Sequence, residues 1–171
     1  MNPSLPTPHQ LYLLLGANLG DCAGTFRRAA TLVARRVGAV VAQSAHYQTA
    51  PWGVTDQPAY LNQVLWVETH LSPLAVLAQT QAIEAELGRV RAEKWGARLI
   101  DVDLLFYDDL VLDSPTLTIP HPLLHERRFT LAPLSELNPD LWHPLLNQSV
   151  GTLLATCPDP GAVVKVLTTS R

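Results

Sequence analysis

Two acids spaced two residues apart in an apolar stretch are the first feature of this chain with chemical consequences. Asp101-Val102-Asp103 lies within Leu99-Ile-Asp-Val-Asp-Leu-Leu-Phe-Tyr107, a run whose composition predicts a strand over residues 99–107. Side chains at i and i+2 of a strand share a face, so Asp101 and Asp103 project together while Ile100, Val102 and Leu104 point into a core. Neighbouring carboxylates repel unless a cation or basic side chains neutralise them. An oxygen-only pair suits Mg2+, which takes one or two carboxylates together with water and substrate phosphates. Taken alone, the pattern equally describes the solvated face of a half-exposed strand.

The preceding segment carries the opposite charge. Four of the chain's twelve basic residues, Arg89, Arg91, Lys94 and Arg98, fall within ten positions, together with Trp95, Gly88 and Gly96. By itself such a run is a solvated loop. Feeding directly into an acidic pair, it suggests phosphate transfer from a nucleotide: Arg and Lys hold phosphoryl oxygens, Mg2+ bridges them, and Trp95 offers a flat stacking face. The two glycines would let the loop open and close as a lid. The common nucleotide loops are absent, since Gly16-Ala-Asn-Leu-Gly-Asp21 has neither a GK[ST] ending nor a third glycine of GxGxxG. It reads as a strand-to-helix turn in which Asn18 or Asp21 caps the helix. Gln81 and Glu84 share a helix face, which on its own is an ordinary exposed face. His121 and His125 have the spacing of a helical metal pair, but no third zinc-type ligand stands nearby.

The elements that must position these groups follow from periodicity and punctuation. Leu11–Leu15 is a five-residue apolar run stopped by Gly16, a short buried strand. Residues 24–37 carry Phe26, Ala29, Ala30, Val33 and Val37 at helical spacing, ended by Gly38. A valine-rich strand is expected over 39–47, a loop over 49–58, and a further strand over 60–69. Ser72-Pro73 starts a helix that runs to about Leu87. After the acidic strand come a short helix-like piece at 122–127, an apolar segment at 129–134, and an amphipathic turn at 150–155. This β-α-β-β-α-β order predicts an α+β fold of the ferredoxin-like, split βαβ kind, an antiparallel-containing sheet with helices packed on it. A doubly wound sheet would need a helix between residues 48 and 60, where Pro51 and Pro58 argue against one.

Composition sets the outer limits. The 171 residues suit about one compact domain, and 47% hydrophobic with 16% charged residues is too apolar for a disordered chain. Residues 1–10, with three prolines and no Lys or Arg, read as a flexible lead rather than a signal peptide, leaving 11–171 as a single domain. No apolar run reaches the ~18–20 residues of a membrane span. A net charge of −3 gives no support to nucleic-acid or anionic-membrane partners. Cys22 and Cys157 form neither a CxxC motif nor a disulfide framework, so a reducing cytoplasm is the expected compartment.

Against this background, Lys94-Trp-Gly-Ala-Arg98-Leu-Ile-Asp101-Val-Asp103 resembles the signature of the 6-hydroxymethyl-7,8-dihydropterin pyrophosphokinase family of folate biosynthesis. Further segments resemble that family in order: Leu14-Leu-Gly16-Ala-Asn18, Thr49-Ala-Pro51-Trp-Gly53 through Tyr60-Leu-Asn62, Gln81-Ala-Ile-Glu84, Ile119-Pro-His121 and Arg127-Arg-Phe129. The resemblance implies a monomeric catalytic domain that moves a pyrophosphoryl group from the co-substrate ATP to the pterin hydroxymethyl oxygen, with two Mg2+ ions organising the triphosphate. Carried over position by position, it implies Asp101 and Asp103 as metal ligands, with Arg89 and Arg98 stabilising charge at the attacked phosphorus. It assigns Gln81, Glu84, Arg91, Lys94, Trp95, Arg98, Leu104, Thr118, His121 and Arg127 to ATP. To the pterin it assigns Thr49, Ala50, Pro51, Trp52, Tyr60, Asn62, Trp95 and Phe129. That last set makes physical sense, because a flat bicyclic ring with a hydrogen-bonding edge needs aromatic faces and an amide. Lys94, Ala97 and Thr116 depart from residues seen in some members, and residues 146–171 match poorly and receive no role. Two other readings remain at this point: a pterin- or nucleotide-binding relative without catalysis, and an RNA-binding ferredoxin-like domain. The second is disfavoured by the negative charge and by the lack of RNP-like motifs.

Overall fold

The computed structural model describes residues 3–50, 56–88 and 97–167. Strand β1 (His9–Ala17) leads into helix α1 (Cys22–Arg36), then strands β2 (Gly38–Gln43), β3 (His46–Thr49) and β4 (Tyr60–Thr69). Helix α2 (Pro73–Glu86) returns the chain to β5 (Asp101–Tyr107). There follow a two-stranded ladder of β6 (Leu112–Asp113) and β7 (Thr118–Ile119), a 3-10 turn at Leu124–Glu126, and helix α3 (Arg128–Leu137). A second small ladder of β8 (Trp142–His143) and β9 (Gln148–Ser149), helix α4 (Val150–Ala155) and strand β10 (Val163–Val166) complete the order.

The main sheet runs β10-β3-β4-β1-β5, with β2 also paired to β4, and its neighbouring strands are antiparallel. β4 is inserted between β1 and the strands that follow α1, and β1 is inserted between β4 and β5. These are two interleaved split βαβ units, the ferredoxin-like α+β arrangement that the element order predicts. β1 is apolar at consecutive positions because both of its faces are covered. Leu11, Leu13 and Leu15 pack with Phe26, Ala29 and Val33 of α1 and with Val76 and Ile83 of α2. Tyr12 and Leu14 pack with Leu131 and Leu134 of α3 and with Val150 and Leu153 of α4. Each fully buried leucine contributes about 1.5–3 kcal/mol relative to exposure, so the central strand is held from both sides. Among the described residues, no helix is long and apolar enough to cross a membrane.

Several boundaries differ from the sequence reading, each for a local reason. His9 and Gln10, assigned above to the lead, pair with Thr69 and Glu68 and belong to β1. Helix α1 starts at Cys22 rather than Gly24, because the Asp21 carboxylate accepts the Gly24 N–H at 3.0 Å. Asp21, and not Asn18, is therefore the cap. The strand expected over 39–47 breaks in two around Ser44, whose N–H donates to the Val64 carbonyl while its Oγ accepts the Val64 N–H, both at 2.9 Å. A side-chain oxygen thus stands in for a strand carbonyl where the chain steps from one half of β4 to the other. The apolar segment at 129–134 is a helix with Pro133 inside it, and the expected helical piece at 122–127 is only the 3-10 turn. β10 has no counterpart in the sequence reading.

Gly38 opens β2 where the backbones of β2 and β4 approach most closely. A Cβ built there would meet the Glu68 carbonyl carbon and the Thr69 Cα at 2.9 Å, with the Glu68 oxygen closer still. Gly38→Ala should therefore cost about 1–3 kcal/mol, read as a lowered urea midpoint with an unchanged slope. An unchanged midpoint would show that β2 can shift freely.

Candidate functional site

Strand register builds the site. Gly16 of β1 pairs with Asn62 of β4 on one side and with Asp101 of β5 on the other, and Leu14 stands opposite Asp103. These positions share the face covered by α3. There they form the floor of a pocket walled by Thr49 and Ala50 at the end of β3 and by Arg127 and Phe129 at the start of α3. Gly16 keeps the floor open, because a Cβ at that position would lie 3.4 Å from the Asn62 side-chain oxygen and would project into the space.

One end of the pocket suits a flat heterocycle. Tyr60 and Phe129 supply ring faces and Leu14 an apolar floor, while the buried Asn62 amide donates to Thr49 Oγ1 at 3.3 Å. The other end is charged, with Arg98, Asp101, Asp103 and Arg127. Arg98 Nη1 donates to Asp101 Oδ2 at 2.7 Å, both side chains being largely shielded. The Tyr60 hydroxyl hydrogen-bonds with Arg98, and burial raises the Tyr60 pKa above its ordinary value. The Arg127 guanidinium lies 5.6 Å from the Phe129 ring centroid, so this one side chain spans the boundary between the two ends. Burial lowers its pKa, and the nearby Asp103 and Asp101 act to raise it.

The two acids differ in environment. Burial, the charge of Asp101 beside it and that of Glu84 on α2 push the Asp103 carboxyl up to about 7, against the pull of Arg127 and Arg98. Two acids of which one resists ionisation are a donor set that a divalent cation would relieve. An oxygen-only pair next to arginines fits Mg2+ shared with phosphate oxygens better than zinc, which favours nitrogen and sulfur ligands. His121 borders the same charges: burial and the proximity of Arg127 lower its pKa to about 4, so it is neutral at pH 7. Its Nδ1 accepts the Leu123 N–H at 3.2 Å, which assigns the ring proton to Nε2.

Asn18 is the functional residue that its sequence reading as a possible helix cap missed. Its side-chain N–H2 donates to Gln57 Oε1 and to the Pro58 carbonyl, each at 3.0 Å. Its Oδ1 accepts the Arg98 N–H at 2.8 Å, and its own N–H donates to the Arg98 carbonyl at 3.1 Å. One buried amide thereby joins the turn after β1, the segment entering β4 and the segment entering β5. The only sequence signal for it was its place in the Gly16-Ala-Asn18 motif.

The structure thus gathers Thr49, Ala50, Tyr60, Asn62, Arg98, Asp101, Asp103, Arg127 and Phe129 around one space. Glu84 reaches this cluster electrostatically from α2, and His121 does so from beside Arg127 and Asp101. Gln81 is exposed on α2, and Thr118 lies on the β6–β7 ladder. The Leu104 side chain is buried on the opposite face of the sheet with the α1–α2 core, as strand alternation requires, which leaves its backbone for the ATP contact that the resemblance implies. Pro51, Trp52, Arg89, Arg91, Lys94 and Trp95 lie outside the described residues.

Comparison with known proteins adds independent findings. The family model described as 7,8-dihydro-6-hydroxymethylpterin-pyrophosphokinase matches residues 12–139. A 2-amino-4-hydroxy-6-hydroxymethyldihydropteridine pyrophosphokinase of Methylorubrum extorquens is 45% identical over 131 residues, 76% of this chain and 83% of that protein. The protein of the same name from Haemophilus influenzae is 40% identical over 134 residues, covering 78% and 84%. Among solved structures, the wild-type HPPK-DHPS of Plasmodium falciparum with pteroate superposes with a TM-score of 0.72 at 17% identity. That likeness covers 90% of this chain and 43% of the longer one, and it supports the fold alone.

The raised pKa of Asp103 has a signed consequence for stability. A carboxyl whose folded pKa exceeds its unfolded value stabilises the fold below the unfolded pKa, and that contribution is lost as pH rises through the folded one. In chelator, the melting temperature should therefore fall from pH 4 towards pH 7, the value to which Asp103 is raised. Asp103→Asn should flatten that slope. An identical pH dependence in wild type and variant would place the proton elsewhere.

Proposed function

This chain belongs to the 7,8-dihydro-6-hydroxymethylpterin-pyrophosphokinase family, and we propose how its own residues carry out the family's reaction. It transfers pyrophosphate from ATP to the hydroxymethyl group of 6-hydroxymethyl-7,8-dihydropterin in folate biosynthesis, giving AMP and the pterin diphosphate. The hydroxymethyl oxygen bonds to the β-phosphorus, the bond from that phosphorus to the oxygen bridging to the α-phosphate breaks, and the hydroxyl proton is released. The observation that carries the residue roles is the two-ended pocket, an aromatic and amide end meeting a carboxylate and arginine end across Arg127.

At the first end, Tyr60 and Phe129 clasp the pterin faces, while Asn62 and the Thr49–Ala50 backbone read its edge, with Pro51, Trp52 and Trp95 completing the enclosure. At the second, Asp101 and Asp103 would hold Mg2+, two ions in all, which would supply neutralising charge to the triphosphate. Arg98, anchored by Asp101 and Tyr60, places its charge where the transferred group becomes more anionic, and Arg89 acts with it. Neutral His121 donates from Nε2 to a phosphate oxygen, and Arg127 pairs with another. Gln81, Glu84, Arg91, Lys94 and Thr118 serve the nucleotide around them. The chain from β1 onward, beginning at His9 rather than residue 11, forms one catalytic domain, acting as a cytoplasmic monomer on small molecules. The net charge of −3 supports that choice over a polyanionic partner.

Incubating the protein with Mg-ATP and the pterin should yield AMP and pterin diphosphate in equal amounts. ADP as the sole nucleotide product, or tight binding of both substrates without turnover, would reject this mechanism. Asp103→Ala should nearly abolish turnover while leaving the circular dichroism spectrum unchanged, and Arg98→Ala should lower kcat by about 10²–10³. An Arg98→Ala effect confined to KM would make Arg98 a ground-state binder instead.

A further inference from the structure

The segment Cys157-Pro-Asp-Pro-Gly161 and strand β10 lie beyond residues 12–139, the span matched to the family, yet they bind both walls of the pocket. Asp159 is buried to 7% exposure. Its Oδ2 accepts the Arg128 N–H at 3.1 Å, the amide between the pocket residues Arg127 and Phe129. Its Oδ1 accepts the Gly161 N–H at 2.8 Å. The Arg128 side chain answers from the other direction, donating from Nε to the Asp159 carbonyl and from Nη2 to the Cys157 carbonyl, both at 3.2 Å. Prolines on either side of Asp159 restrict the backbone that presents it.

A few residues later the same segment becomes β10 and pairs Val163 with Thr49, the pocket residue at the end of β3. Lys165 closes the connection at 2.6 Å from Glu136 of α3. Glu136 also accepts the Ala45 N–H at 2.7 Å, just before β3. Thr49 and Phe129 face the same space from different elements, and one short stretch of chain pairs with Thr49 and hydrogen-bonds Arg128, the residue before Phe129.

We propose that Asp159 is a positioning residue for the pterin end of the site. Through the Arg128 amide it sets where Phe129 stands relative to Thr49 and Asn62, and residues 157–166 form a strap that fixes the width of the slot. This rests on the pterin reading above. The strap acts on affinity for the flat ring, because a slot whose walls are already spaced spends less of its binding energy on ordering them.

The test is the pterin dissociation constant by calorimetry, alongside KM and kcat. Asp159→Ala should weaken pterin binding about tenfold, the order expected when a buried helix-start acceptor is removed. Asp159→Asn, which keeps one acceptor, should fall between the two. Gly38→Ala, a destabilising change at the far end of β4, should leave the constant unchanged and so separates positioning from general loss of stability. If Asp159→Ala does not fold, Arg128→Met removes only the two side-chain bonds, and a rise of about threefold is expected. Pterin affinity within twofold of wild type in the folded variant, whatever its melting temperature, would overturn the strap. Wild-type protein that neither binds the pterin nor makes AMP would sink the functional reading itself, and the strap with it.

Discussion

A pair of acids on one strand face, partly shielded from water beside each other, is the constraint around which this molecule is arranged. Each carboxylate taken out of water costs several kcal/mol unless charge of the other sign is brought near, and here both stand on the same side of β5. Arg98 meets Asp101 directly, and Arg127 and Arg98 together moderate Asp103. Even so, Asp103 holds its proton well above the ordinary range. The strand tolerates this because Val102 and Leu104 on its other face are fixed in the α1–α2 core. The apolar half of the strand keeps the polar half in place, and the polar half is left short of positive charge at the site where a cationic metal and an anionic nucleotide would arrive together.

The remaining architecture supplies walls to that floor. Segments from distant parts of the chain must arrive within a few ångströms, and each is tied by a small number of directed bonds rather than by broad packing. Asn18 satisfies main-chain and side-chain groups from two other segments at once. Such a group has no cheap replacement, since removing it would leave several buried polar atoms without partners. The tail does similar work on the opposite wall through Asp159 and through Lys165, which meets Glu136 of α3. Precision here comes from hydrogen bonds placed at loop ends, while bulk stability comes from the two apolar layers on either side of the sheet.

Periodicity explains what could be seen in advance. The apolar run of β1, the Ser72-Pro73 start of α2 and the alternation through Asp101 and Asp103 are local patterns, and each became the element expected. The ferredoxin-like order followed from counting them. The break at Ser44 was hidden because a serine hydroxyl replacing a strand carbonyl leaves no trace in hydrophobic spacing. α3 was hidden by Pro133, which argues locally against a helix that tertiary packing on the sheet secures. β10 is a short edge strand whose identity depends on a partner more than a hundred residues away. The role of Asn18 as a junction was missed because it turns on long-range contacts, which a motif does not encode.

The bulge in β5 carries one last implication. Between Tyr12 and Leu13 the pairing with β1 slips by a residue, leaving Leu105 as the extra one, and the Leu105 carbonyl accepts the His121 N–H at 3.0 Å. The irregularity therefore fastens the histidine-bearing segment to the strand that bears the acids. It also makes β5 a mechanical vernier. Upstream of the bulge, deleting or inserting a single residue would exchange Asp101 and Asp103 for Val102 and its apolar neighbours. The direction in which the two acids face is thus encoded in parity as much as in residue identity, and the fold should accept conservative replacements of the apolar residues of β5 far more readily than any change in its length.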